Sequence, residues 1–331
     1  MTVRVSKPEF NLREKITELD KPSGIKGNEL LRSETTQDAR DLIRAGRRRL
    51  NFNGAMIINQ RGNINTGAFS SYYGPDRYYS QGNGSNNGNW DIGQSTDVPS
   101  GYGFKYSLSY DCTATTSHAD RYLMTLYRME GYDSQVFDYG TPDAKTVTLS
   151  FWIKCSKAGN FQVNFENEQN PDAGYQTQQT IHTAGQWEKK IVTIPGDITK
   201  AFAWTSAKAM CFDIMYSAFG TYASGTPTAA WSALANTQRG GHCDMDLFDS
   251  TSNYVRITGV QLELGNQATE FEHLSYNEEL TRCMRYYEGI KMGTGTAIFR
   301  TWTNTAGSPT NVTNVEYNYK VEKRATPSWS L

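Results

Sequence analysis

A chain of 331 residues is long enough to bury a large core without metals or disulfide staples. With 33 basic against 34 acidic side chains it lacks the cationic excess that a nucleic-acid partner demands. Five widely spaced cysteines with no C-x-x-C pair exclude a disulfide scaffold, and neither a signal peptide nor a membrane-length apolar run is present, so synthesis in the cytosol without membrane insertion is expected.

An extended start ends at Pro8. Asn11 then stands three residues before Glu14 as a helix cap, and Leu12, Ile16 and Leu19 recur at helical spacing. Pro22 and Gly24 break that helix, Leu30 and Leu31 form an apolar patch, and Thr35 with Asp38 opens a second short helix through Leu42 and Ile43. Both are shorter than the roughly 12–15 residues that make an isolated helix stable in water. Residues 1–50 are therefore expected to order against another surface, either sister chains and a particle or the chain's own globular part. This segment holds 12 basic and 8 acidic side chains, leaving 21 and 26 for the rest. Arg47, Arg48 and Arg49 read as a solvated collar at the junction, with a nucleic-acid patch as the competing reading.

From Asn53 the pattern turns to β. Residues 55–60 hold a short apolar run, and Gly62 through Gly103 is rich in Gly, Asn, Ser and Tyr, which predicts a long loop region. Residues 104–113, 122–129, 146–156, 161–167, 187–194 and 209–216 then read as successive strands. In the third, Val147, Leu149, Phe151 and Ile153 share one face, with Thr148, Ser150, Trp152 and Lys154 opposite. Gly220–Gly241 is a second long insertion. Residues 254–264 alternate again, with a slip near Gly259 that predicts a bulge. Ser275-Tyr276-Asn277-Glu278 has capping-box spacing, and Tyr276, Leu280, Cys283, Met284 and Tyr287 fall on one face of a helix that Gly289 should stop. The expected fold is mainly β. It is a jelly-roll sandwich of about eight strands over residues 51–288 with one helix packed after its last strand, preceded by the helical segment 1–50 and followed by a short β extension, 289–331, with strands at 297–299 and 315–321.

The run GVQLELGNQATEFEHLSYNEELTRCMRYYE, ending at Glu288, resembles the close of the jelly-roll, carbohydrate-binding-module-like domain of tailed-phage (cyanophage-like) fibre and receptor-binding proteins. Leu50–Gly54, Asn59–Gly62, Pro75–Tyr78, Glu130–Tyr132 and Thr146–Lys154 agree with the same family. The resemblance implies a virion protein, made in the host cytoplasm, attached by its N-terminus to other virion proteins as a homotrimer. Leu12, Ile16, Leu19, Leu30, Leu31, Leu42 and Ile43 would form the anchor and trimer core, and the sandwich would face host-surface glycans. In relatives a C-terminal β-unit follows, so the last strands here are either shortened or completed by neighbouring subunits.

No convergent catalytic set is legible, and no G-x-S-x-G, H-E-x-x-H or phosphate loop occurs, so a non-enzyme is expected. His118 with Asp120, His182 and His273 read as surface or capping histidines. His242, Asp244 and Asp246 would share one face of a strand and are the weak candidates for a cation, and Asp138, Asp143 and Glu130 are equally weak for Ca²⁺. Otherwise no cofactor is expected. Glycan binding asks for flat rings against pyranose C–H faces and planar polar groups for hydroxyls. The loop aromatics Trp90, Tyr102, Trp204, Tyr222 and Trp231 are the candidates, with Asn87, Asn89, Asp91 and Arg239 beside them. Core or subunit packing explains the same rings, so a purely structural capsid or tail decoration protein is the alternative, and a polysaccharide-degrading spike a further one.

Overall fold

Alternation along residues 147–155 translates directly into a two-faced strand: Val147, Leu149, Phe151 and Ile153 are buried, and Trp152 and Lys154 lie on the opposite, half-exposed face. In this computed structural model the residues described are 32, 48–64, 72–83, 88–170, 172–289 and 318–328. Two compact units divide the chain, Met1–Arg48 and Arg49–Leu331. The anchor residues Leu12, Ile16, Leu19, Leu30, Leu31, Leu42 and Ile43 lie outside the described residues, as do Asn87 and the stretch 297–299. Of 315–321, the described part (318–321) forms no strand.

Among the described residues of the second unit there are ten strands: β1 (Tyr78–Gly82), β2 (Asn89–Ser95), β3 (Ser107–Ala114), β4 (Tyr122–Glu130), β5 (Val147–Cys155), β6 (Gly159–Asn167), β7 (Gly174–Ile181), β8 (Glu188–Ile194), β9 (Lys208–Ala218) and β10 (Tyr254–Leu264). They form two antiparallel five-stranded sheets, in the orders β2-β3-β10-β5-β8 and β1-β4-β9-β6-β7. The fold is thus a mainly β sandwich, as the strand patterns predict, with two strands more than expected. The difference lies in β1, β2 and β7, whose short or polar sequences (YYSQG, NWDIGQS, GYQTQQTI) carry little apolar alternation, and in residues 55–60, which form no strand.

Between the sheets lies one apolar core, in which Phe151 meets Phe161 at 6.3 Å and Tyr110 meets Tyr216 at 5.7 Å. The Tyr110 and Tyr216 phenols at its centre are paired, whereas the Tyr139 hydroxyl has no hydrogen-bond partner. Tyr110 Oη shares hydrogen bonds with Ser80 Oγ (2.8 Å) and Thr125 Oγ1 (2.7 Å), and Thr125 reaches Tyr216 Oη (2.8 Å), which satisfies the groups that burial would otherwise penalise.

The expected bulge falls where β10 shifts register between Thr258 and Gln261, with Gly259 at φ +63°. Asn51 bridges it. Its Nδ2 donates to the Val260 carbonyl (2.8 Å) and its Oδ1 accepts from Leu262 N (2.8 Å), so a side chain stands in for a strand neighbour.

Two short helices occur among the described residues, α1 (Gly131–Ser134) and α2 (Tyr276–Met284). Ser275 and Glu278 form the expected capping box on α2. The helix is shorter than the expected 275–288, and its buried stripe is Glu279, Cys283 and Met284 rather than a face including Tyr276, which is exposed. The reason is a buried ion pair. Glu279 takes the Arg49 guanidinium and also accepts from Asn53 N (2.7 Å). Arg49 is consequently fully buried and is not part of a solvated collar; burial pushes its pKa down.

Candidate functional site

The two outer faces of the sandwich differ. That of β1-β4-β9-β6-β7 is covered by the insertion after β9. Tyr222 stacks on Tyr122 at 4.2 Å, within a small apolar cluster that includes Met124, Leu126, Cys211 and Met215. Beside it, Arg239 Nη1 reaches Asp213 Oδ2 (3.1 Å) and Nη2 reaches Glu166 Oε2 (2.7 Å), while Asn164 Nδ2 donates to Asp213 Oδ1 (2.8 Å). One guanidinium thus serves two carboxylates, and burial pushes Asp213 up to about 7. Arg239 and Tyr222, expected among the glycan contacts, are here the fastening of a cover.

The opposite face is partly open. Over one end, residues 269–272 lie on the sheet, with Thr269 N donating to Glu263 Oε1 (2.8 Å) and Glu272 N to Gln261 Oε1 (2.8 Å). Beyond this strap the outward positions of β5 and β10 are Trp152, Lys154, Arg256 and Tyr254, with Arg256 opposite Lys154 and Thr258 opposite Trp152. Tyr102, 53% exposed, lies against Trp152 with ring centroids 4.4 Å apart and planes at 46°. Gly259 makes room for this pair, since a Cβ there would lie 2.6 Å from Phe104 Cζ and 3.1 Å from Trp152 Cδ1.

Polar groups line up alongside the ring pair. Asp97 accepts from Lys154 Nζ (2.8 Å) at one oxygen and from Trp187 Nε1 (3.1 Å) at the other. Partial burial pushes its pKa up, but these donors outweigh it and hold the carboxylate below its ordinary value. Arg256 Nη2 donates to Asp111 Oδ1 (2.5 Å), and its guanidinium carbon lies 5.1 Å from the Tyr254 ring centroid. Asp91 pairs in register with Asp111 at the edge. A strand advances about 7 Å per two residues, so the rings and the charged row are spaced on the scale of a sugar unit. The face can stack a pyranose and hydrogen-bond its hydroxyls.

Of the residues expected from sequence, Tyr102 and Asp91 belong to this face. Trp90 does not. It sits in β2 with 0% exposure, edge-on to Phe248 at 5.7 Å, because strand β2 (Asn89–Ser95) runs through the stretch 62–103 expected as a loop and turns this ring into the core. Trp231 is half-buried against Tyr139 and Tyr175, its Nε1 donating to Pro195 O (2.8 Å). Trp204, 62% exposed, and Asn89, also exposed, stand apart. Residues 242–246 form no strand. Asp244 accepts from Asn160 N (2.6 Å) and Nδ2 (2.7 Å), and Asp246 from Arg121 Nη2 (2.8 Å), while burial lowers the pKa of His242. Glu130 is held by Arg285, and Asp138 lies 3.8 Å from Lys145. Among the described residues no three His, Cys, Asp or Glu side chains converge on a common point. Trp152, Trp187 and Lys154 were missed as site residues, although Trp152 and Lys154 already stood on the polar side of the β5 alternation.

No protein-family model matches this chain, and no curated protein matches it. Similar solved structures include the enzymatically active domain of tailspike protein 4 from bacteriophage CBA120 (12% identity over 61% of this chain and 22% of that one, TM-score 0.34). Two others are a putative sugar binding protein from Bacteroides thetaiotaomicron (12%, 66% and 100%, TM-score 0.33) and a family 11 carbohydrate-binding module from Clostridium thermocellum in complex with a mixed-linked tetrasaccharide (13%, 64% and 98%, TM-score 0.27). At these identities and TM-scores the likenesses do not bear on what this chain binds.

Proposed function

We propose that this chain is a non-catalytic glycan-binding protein of a tailed-phage virion, of fibre or receptor-binding type, attached and trimerised through residues 1–48. The observation that carries the glycan reading is the Tyr102–Trp152 pair on the open sheet face, flanked by Asp97, Lys154 and Trp187. An exposed ring pair beside paired charges offers C–H stacking and hydroxyl recognition together. The virion reading is supported by the closing run of residues 259–288 and its companion blocks. Single-site binding of this open kind is weak and gains strength through multivalency on a particle.

The test is a glycan array or host-cell binding assay on the full chain and on Trp152→Ala and Tyr102→Ala. Loss of binding with an unchanged melting temperature is the expected result. Binding that survives both substitutions removes the glycan site from the open face, and no binding by the unaltered chain points to a structural decoration role. Hydrolysis of a host polysaccharide by the purified chain would overturn the non-catalytic assignment.

A further inference from the structure

The segments 60–61 and 72–77, the end of β4 and the turn after α2 enclose a cavity of about 330 Å³ on the covered side of the molecule, away from the open face. We propose that this cavity is a second binding site, specific for a single sugar ring bearing a carboxylate. Its size is at the small end of the roughly 300–1,000 Å³ range of ligand pockets, which suits one ring rather than a chain.

The charges of its wall point to an anion. Glu130 is occupied at both oxygens by Arg285 (2.8 Å each), and Asp76 takes Gln60 N (2.9 Å) and Nε2 (2.5 Å). Arg128 and Lys208 share Glu168 (2.8 and 3.2 Å). Among the described residues, three arginines of the wall form no ion pair: Arg324, exposed, donates to the Ser206 carbonyl (3.2 Å), while Arg61 and Arg77 act on Asp76 only through their charge. Arg77 is 7% exposed, with its guanidinium carbon 3.3 Å from the Tyr286 ring centroid and one nitrogen donating to the Arg128 carbonyl, and its Nε has no hydrogen-bond partner. Arg61 lies 3.6 Å from the Tyr287 ring centroid and 5.3 Å from that of Tyr72.

Arg77 meets rings and a carbonyl but makes no ion pair, so an anion entering the cavity adds a charge pairing that the wall lacks. The planar guanidinium fork matches a carboxylate in two-point contact. Free phosphate shares that chemistry but offers no C–H surface to the tyrosine-lined wall, whereas a uronate offers both.

The experiment is a calorimetric titration of the full chain with glucuronate, glucose and inorganic phosphate, each at low and raised salt. Expected is glucuronate binding that weakens as salt rises, falls about tenfold or more in Arg61→Gln, as loss of a hydrogen bond to a charged group implies, and persists in Trp152→Ala. Arg61 is half-exposed, so the substitution should leave the melting temperature in place; Arg61→Lys, which keeps the charge without the fork, should recover part of the affinity. Phosphate binding as tightly as glucuronate overturns the sugar assignment. Absent glucuronate binding, or binding indifferent to Arg61→Gln, overturns the site, and binding lost only in Trp152→Ala assigns the ligand to the open face instead.

Discussion

At the scale of single residues, charge is buried at several places, and two of them set stability in opposite ways. Glu279 and Arg49 are both fully enclosed, and Glu279 also receives Asn53 N, so removing its charge strands a guanidinium inside the protein. Glu279→Gln is expected to lower the unfolding free energy in urea by about 3–5 kcal/mol, and a double change to Arg49→Met with Glu279→Leu should restore most of it. Asp213 behaves oppositely with pH. Its folded pKa, raised to about 7 by burial despite Arg239 and with Glu166 and Arg128 nearby, exceeds its unfolded value. The protonated form therefore favours folding, and that contribution is complete below the unfolded pKa and lost as pH rises to about 7. Carboxylates held below their ordinary values, such as Asp97 and Glu188, act only at lower pH. Stability is thus expected to decline by up to a few kcal/mol between about pH 5 and 7, and Asp213→Asn should flatten that decline in urea titrations run across the window.

Strand β10 shows how one irregularity serves both fold and surface. Its bulge inserts Gly259 at φ +63°, Asn51 mends the interrupted ladder, and the space left by the absent Cβ is filled by Phe104 and Trp152. Gly259→Ala should therefore cost about 1–3 kcal/mol through backbone strain and weaken glycan binding by displacing Trp152. Gly265→Ala is the control. Its φ of +100° strains the backbone too, but nothing lies within 4 Å of its Cβ position, so stability should fall with glycan binding kept. If both variants bind alike, Trp152 does not depend on the bulge. The insertion after β9 belongs to the same scale: it explains why β9 is buried on both faces and why its sequence, KAMCFDIMYSA, is apolar nearly throughout.

For the whole molecule, the folded sandwich begins at Arg49, not after Leu50. Leu50 N donates to Leu262 O (2.8 Å) and Arg49 N to Glu272 Oε2 (2.8 Å). A chain shortened to start at Asn51 would lose the buried cation that Glu279 holds, so one starting at Arg49 is the appropriate comparison. Light scattering is expected to give three chains for the full length and one for the shortened form, with cooperative unfolding of the latter. A full-length monomer, or a shortened trimer, would remove residues 1–48 from the assembly.

How much was legible from sequence differs between fold and site. Strands with one apolar and one polar face announce themselves by period two, as β5, β8 and β10 do, and the capping box of α2 is a local signal that needs no tertiary context. The sandwich, the bulge and the start of the helix could therefore be read from residues alone. Composition offers no such rule for a tryptophan near a polar loop: Trp90 and Trp152 are the same residue type, and one strand turns its ring into the core while another turns it to solvent. Whether a sheet face stays open is decided by segments remote in sequence. The insertion after β9 closes one face through Arg239, and residues 269–272 close only part of the other. The pairing of Arg49 with Glu279, 230 positions apart, and the meeting of Arg61, Arg77 and Tyr286 around one cavity were settled by tertiary structure alone, because burial and charge pairing are properties of neighbours in space and local sequence does not say which neighbours those will be.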